Sequence, residues 1–124
     1  MSKMKIMIWG REFELPVIIK RFKGKEITEL QSEAVSKLEM HRDMIDASLD
    51  EVKSYVLKNG LAGSGIDEVE NIFKYVIPKS ISVPKANNRT IAIMCNYKFD
   101  MEHGIAIVFE NEKFKQIGPQ DIVL

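Results

Sequence analysis

Asp100-Met101-Glu102-His103-Gly104 sets two carboxylates and an imidazole almost side by side. These are the residue types that ligate a divalent metal or move a proton near neutral pH. Their placement argues against that chemistry. Adjacent positions in a strand-to-strand turn rarely converge on one centre, and a zinc site would have to recruit the second histidine, His41, from a helical segment. Gly104 gives the stretch a different reading, because it supplies the left-handed backbone a tight turn needs before "IAIVFE" resumes. His41-Arg42-Asp43 is a weaker constellation, since neighbours on a helix point in different directions. Cys95 lies in the most apolar segment of the chain, where a thiol behaves as a small inert hydrophobe. Trp9 and the methionines read mainly as packing. There is no glycine-rich phosphate loop, serine elbow or cysteine pair of metal spacing. The expectation is a protein with no catalytic residue, no metal and no cofactor. The alternative is a metal-dependent or acid–base enzyme built on Asp100, Glu102 and His103.

The elements that would carry these residues follow from periodicity. "KIMIWGREFELPVIIKRF" reads as strand, turn, strand, with Gly10-Arg11 suited to a two-residue type II′ loop. Phe13, Leu15, Val17 and Ile19 share one side of the second strand. Pro16 cannot donate a ladder bond, so it makes that strand an edge or breaks it. From Ile27 to Gly60 the pattern is helical. Thr28 and Gln31 have capping-box spacing, and Leu30, Ala34, Leu38 and Ile45 recur at near-helical intervals. Ser48 with Glu51 resembles a second cap, which predicts two helices with a kink near residues 44–47, and Asn59-Gly60 predicts a left-handed stop. "IDEVENIFKYVIP" reads as a third helix ended by Pro78. "SISV" is a short strand and "RTIAIMCNYKF" a central one, apolar on both sides. "GIAIVFE", "KFKQIG" and "DIVL" complete a meander, turned at Asn111-Glu112 and Gly118-Pro119. The predicted fold class is α+β: an N-terminal β-hairpin, a block of about three helices and a C-terminal antiparallel sheet of four to five strands, in a single domain over 1–124.

Composition narrows the function classes. The chain has 45% hydrophobic and 29% charged residues, as soluble globular proteins do. It has no apolar run near the roughly 20 residues a bilayer crossing needs. The apolar stretch of "MSKMKIMIWG" is short for a signal peptide. One cysteine permits no internal disulfide and fits a reducing compartment, so the expected location is the cytoplasm. The formal net charge is zero but unevenly spread: residues 1–25 carry +5, residues 26–51 carry −6 and the remainder +1. A segregated charge of this kind steers partners even when the whole is neutral. With no basic excess and no aromatic RNA-reading motif, neither nucleic acid nor membrane is an expected partner.

"YKFDMEHGIAIVFENEKFKQIGPQDIVL", together with "WGREFELPVI" and "VENIFKYVIPKSISV", resembles a family of small uncharacterised bacterial domains. These carry an acidic-His-Gly turn, an apolar strand, a hairpin and a closing G-x-Q-D-I strand. Proteins of this look resemble the immunity proteins of polymorphic and contact-dependent growth-inhibition toxin systems. That resemblance implies a non-catalytic scaffold that binds a cognate toxin domain, typically a basic nuclease, as a monomer or weak homodimer; it transfers no individual residue. Charge complementarity to such a partner makes the acidic stretch the expected surface, chiefly Glu39, Asp43, Asp46 and Asp50. A third possibility is an oligomerising or adaptor module that pairs through a sheet edge at Pro16 or at "DIVL".

Overall fold

The computed structural model describes residues 3–24, 26–40 and 42–123. Strands β1 (Lys3–Ile8) and β2 (Arg11–Ile19) form a hairpin, followed by α1 (Glu29–Met40) and α2 (Arg42–Asn59). A 3-10 turn at Ile72–Lys74 leads into β3 (Val76–Val83), β4 (Thr90–Tyr97), β5 (Ile105–Glu110) and β6 (Lys113–Gly118), and a last 3-10 turn spans Gln120–Val123. The strands form one six-stranded sheet in sequence order. Every pair is antiparallel except β2–β3, where Val17–Ile19 run parallel to Ile81–Val83. A parallel pair requires a long crossover, and α1 with α2 provide it. The hairpin is therefore joined to the C-terminal strands, which the α+β reading had kept apart.

Pro16 marks that join. β1 pairs with β2 up to Lys3↔Pro16, and β3 takes over from Val17. The missing N–H thus falls where β2 changes partner. The hairpin loop is Trp9-Gly10, with φ of 51° and 86°. Two positive φ values in a two-residue loop describe a type I′ turn, whose twist matches the strands; the expected Gly-Arg II′ turn is displaced by one residue. Asn111 and Glu112, at φ 51° and 65°, close the β5–β6 loop in the same way.

Side-chain size separates the two faces of the sheet. Ile91, Ile93, Cys95 and Tyr97 of β4 and Ile105, Ile107 and Phe109 of β5 join a core with Ala34, Leu38, Ile45, Val52 and Val56 of the helices. α1 lies over β3 and β4, while α2 touches both edge strands, β1 and β6. Its 18 residues reach about 27 Å at 1.5 Å each, enough to cross five strand spacings of about 4.8 Å. On the other face, Ala92, Met94, Ala106 and Val108 form a small cluster packed by Val123 alone among the partly buried hydrophobics described there.

Four expectations about the connecting chain are corrected. Residues 66–78 are not a helix. Val69, Ile72 and Val76 are buried as the periodicity required, but Asn71 caps only a 3-10 turn by accepting from the Phe73 N–H at 3.1 Å, and Val76 opens β3. Pro78 is tolerated inside that strand because the β3–β4 register bulges between Pro78 and Ser80 and β2 pairs only from Ile81. The kink expected near residues 44–47 is not found: those positions are interior to α2, and His41 is outside the described residues. Ser48 is no cap: it is buried, donates to the Ile45 carbonyl and takes a bond from the Trp9 indole N–H. Where the closing "DIVL" strand was expected, Gln120–Val123 form a 3-10 turn, held as Gln120 Nε2 donates to the Cys95 carbonyl at 3.1 Å; Leu124 is outside the described residues.

The reading of the α1 N-terminus matches the structure closely. Thr28 Oγ1 accepts from the Gln31 N–H at 3.1 Å while Gln31 Oε1 accepts from the Thr28 N–H at 3.0 Å, a reciprocal capping box. Gln31 also donates to the carbonyls of Lys20 and Pro84, so one buried side chain starts α1 and ties it to the ends of β2 and β3.

Candidate functional site

The Asp100–Gly104 stretch is a surface turn at the β4–β5 connection. The Gly104 N–H donates to the Asp100 carbonyl at 2.8 Å. His103 donates its backbone N–H to Asp100 Oδ1 at 3.1 Å, and its Nδ1 lies 3.1 Å from both carboxylate oxygens. The His103 N–H, more than any other group, holds the Asp100 carboxyl below its ordinary range. Reciprocally, the bond to Asp100 raises the His103 imidazole above its ordinary value. Gly104 is required: φ is 59°, and a Cβ there would sit 2.4 Å from the Cys95 carbonyl oxygen. Glu102 takes no part in the ion pair. Among the described residues no group of three His, Cys, Asp or Glu side chains is placed to hold a metal. Cys95 is fully buried, and burial pushes its thiol up, away from the thiolate a nucleophile needs.

The acidic segment is arranged differently. Asp43, Asp46 and Asp50 are all exposed, at the i, i+3, i+7 spacing that aligns side chains along one side of a helix. The opposite side of α2, through Met44, Ile45, Ser48, Val52 and Val56, is buried. Trp9 Nε1 adds a 3.2 Å bond to the Ile45 carbonyl. At the far end of α2 the Tyr97 hydroxyl donates to Asn59 Oδ1 at 3.1 Å, and burial raises that phenol to about 12. Among the described residues none of the three aspartates has a cationic partner within ion-pair distance. Glu39 stands apart from them. It is exposed in the last turn of α1 and lines a groove of about 300 Å³ with Lys5, Met7 and Met40 beside edge strand β1.

Gly60 ends α2 without a left-handed backbone. Its value is the missing side chain, since a Cβ would stand 2.1 Å from Phe99 Cδ2. Phe99 stacks on Tyr75 at 5.7 Å between centroids and meets Tyr97 edge-on at 5.6 Å. This aromatic corner was not foreseen, because Tyr75 fell in the segment read as a helix. The edge strands of the sheet are β1 and β6, so Pro16, paired with Lys3 within β2, does not lie on an edge strand.

A mixed six-stranded sheet with two helices on one face defines an α+β domain. The chain belongs to the DUF6985 family, a domain of unknown function, which it matches over residues 2–124. Nothing among curated proteins and nothing among solved structures matches it. No helix of the described residues is long and apolar enough to cross a membrane.

Proposed function

We propose that this protein is a non-catalytic binding protein of the immunity type, which captures a basic toxin domain, of the nuclease kind, on the outer side of α2. The observation that carries this reading is the exposed stripe Asp43, Asp46 and Asp50, with no ion-pair partner among the described residues, on a helix whose inner side is locked into the core. Exposed carboxylates aligned on one side of a helix sum their fields toward a partner, and a helix packed into the core presents them at fixed spacing. Such a field speeds encounter, by about 10- to 1,000-fold in strongly steered pairs. Glu39 is the outlying member of the surface, reached only by a partner broad enough to touch α1 as well. The Asp100–His103 pair is assigned to holding the turn, because its polar atoms face each other.

The test is co-expression with the toxic C-terminal domain of a secreted protein encoded directly upstream, followed by pull-down and calorimetry. The expected result is a stable complex that restores growth and is kept by His103→Ala. Protection lost in His103→Ala with the fold intact, or turnover of a substrate that stops in that variant, would replace binding with catalysis.

A further inference from the structure

On the face of the sheet that the helices leave uncovered, Tyr75, Ile77 and Met101 line a groove of about 240 Å³ together with Lys74, Lys79 and Lys98. We infer that this groove is a second docking site, independent of the acidic side of α2, for an extended acidic segment of a partner protein carrying an aliphatic anchor.

Charge complementarity selects the occupant. The three lysines are exposed, and among the described residues none has a carboxylate within ion-pair distance. No carboxylate lines the groove. Lys98 is held over the Tyr75 ring at 5.6 Å, and its backbone N–H donates to the Tyr75 carbonyl at 2.8 Å, prolonging the β3–β4 ladder. The site is thus built on sheet backbone, with Lys79 at the β3 bulge. Met101 is 67% exposed and Phe99 41%, two of the large apolar side chains this molecule presents to solvent. An apolar centre with a charged rim is the anatomy of a protein-recognition patch.

Two features favour an acidic peptide over a nucleic acid. Tyr75, the ring that lines the groove, stacks on Phe99 and has Lys98 over it, so less of its face is left as a stacking platform for bases. The cations are lysines, point charges on flexible stems that accept carboxylates at varied positions, without the planar fork that reads phosphate. The polarity of the segment is also set. Glu68 and Glu70 line an adjoining hollow that shares Lys74 and Tyr75 with the groove, so repulsion there favours placing the acidic residues of the occupant toward Lys79 and Lys98.

The experiment uses the intact protein and a fluorescein-labelled synthetic peptide of alternating Glu and Leu. Its comparisons are a Glu/Ser peptide of the same length and a single-stranded oligodeoxynucleotide, with anisotropy and amide shift mapping as readouts. The Glu/Leu peptide is expected to bind saturably and to shift residues of β3, β4 and Met101. Its affinity should fall about tenfold or more in Lys79→Glu/Lys98→Glu and in Met101→Asp, as truncation of central contacts does, and stay unchanged in Lys113→Glu. Lys79→Gln/Lys98→Gln serves if the double reversal misfolds. The inference is overturned by absence of saturable binding, by equal binding of the Glu/Ser peptide or the oligonucleotide, or by affinity indifferent to the groove variants.

Discussion

The two faces of the sheet are built from the same strands and do opposite things. Along β4 and β5, odd-numbered positions carry Ile, Cys, Tyr and Phe into the helices, while the even-numbered positions that pair at the centre are Ala92, Met94, Ala106 and Val108. The covered face holds the large fully buried side chains, among them Tyr97, Phe109, Ile93 and Ile107. The open face is low, with a 3-10 turn at one end and a lysine-lined groove at the other. Stability is therefore concentrated on one side. The surfaces assigned to recognition lie outside that core: an acidic stripe above the helices and a basic groove across the sheet.

The sharpest way to break this comparison is to cut one residue from each face. Ile107→Ala removes a fully buried side chain between sheet and helices and is expected to cost about 2–5 kcal/mol in urea unfolding. Val108→Ala, one residue along, faces the thin cluster and should cost about 1 kcal/mol or less. Equal losses would mean that the open face is as well packed as the covered one.

Next in size is the corner where the faces meet. Gly60→Ala must displace the Phe99 ring, with an expected loss of about 1–3 kcal/mol. Phe99→Ala should remove much of that penalty, so the double variant should be more stable than the two single losses predict. Additive losses would detach Phe99 from Gly60.

Gln31→Ala should follow closely, at about 1–2 kcal/mol, because it deletes the capping box and strips a donor from the Lys20 and Pro84 carbonyls. Thermal unfolding measures it, and a loss below a few tenths would show that α1 needs no such tie.

The smallest effect belongs to the turn. His103 is raised by Asp100 above its ordinary 6.5, so its contribution is complete below that pH and fades as pH rises through the higher folded value. Asp100 is lowered from its ordinary 3.8, so its contribution is present above 3.8 and fades as pH falls through the lower folded value. The pair is thus at its best between 3.8 and 6.5. In an NMR titration of the His103 ring, Asp100→Asn should return the imidazole toward its ordinary value while unfolding stability near neutrality changes little.

How far the sequence carries this architecture depends on the range of the contacts involved. The β4 strand, the Thr28–Gln31 box and the Asn111-Glu112 turn are set by residues close in the chain, and all three stand where periodicity and turn chemistry place them. The parallel β2–β3 join depends on residues more than sixty positions apart and leaves no local mark. Val69, Ile72 and Val76 are buried at spacings a helix would also satisfy, so burial alone could not separate helix from a 3-10 turn and strand. Ser48-Glu51 has cap spacing, yet Trp9, thirty-nine positions earlier, uses the hydroxyl. The acidic stripe was legible because helical spacing and charge suffice to define it. The lysine groove was not, since it rests on a bulge and on the aromatic corner.

The central claim is that Asp43, Asp46 and Asp50 form the recognition surface. The most direct measurement is the stopped-flow association rate with the basic partner domain, across a range of ionic strength, for the parent protein and for Asp43→Lys/Asp46→Lys/Asp50→Lys. The account predicts that the reversal slows association by about tenfold or more at low salt and flattens its dependence on ionic strength, with the fold unchanged by circular dichroism. Identical rates and identical salt slopes in the two proteins would contradict it.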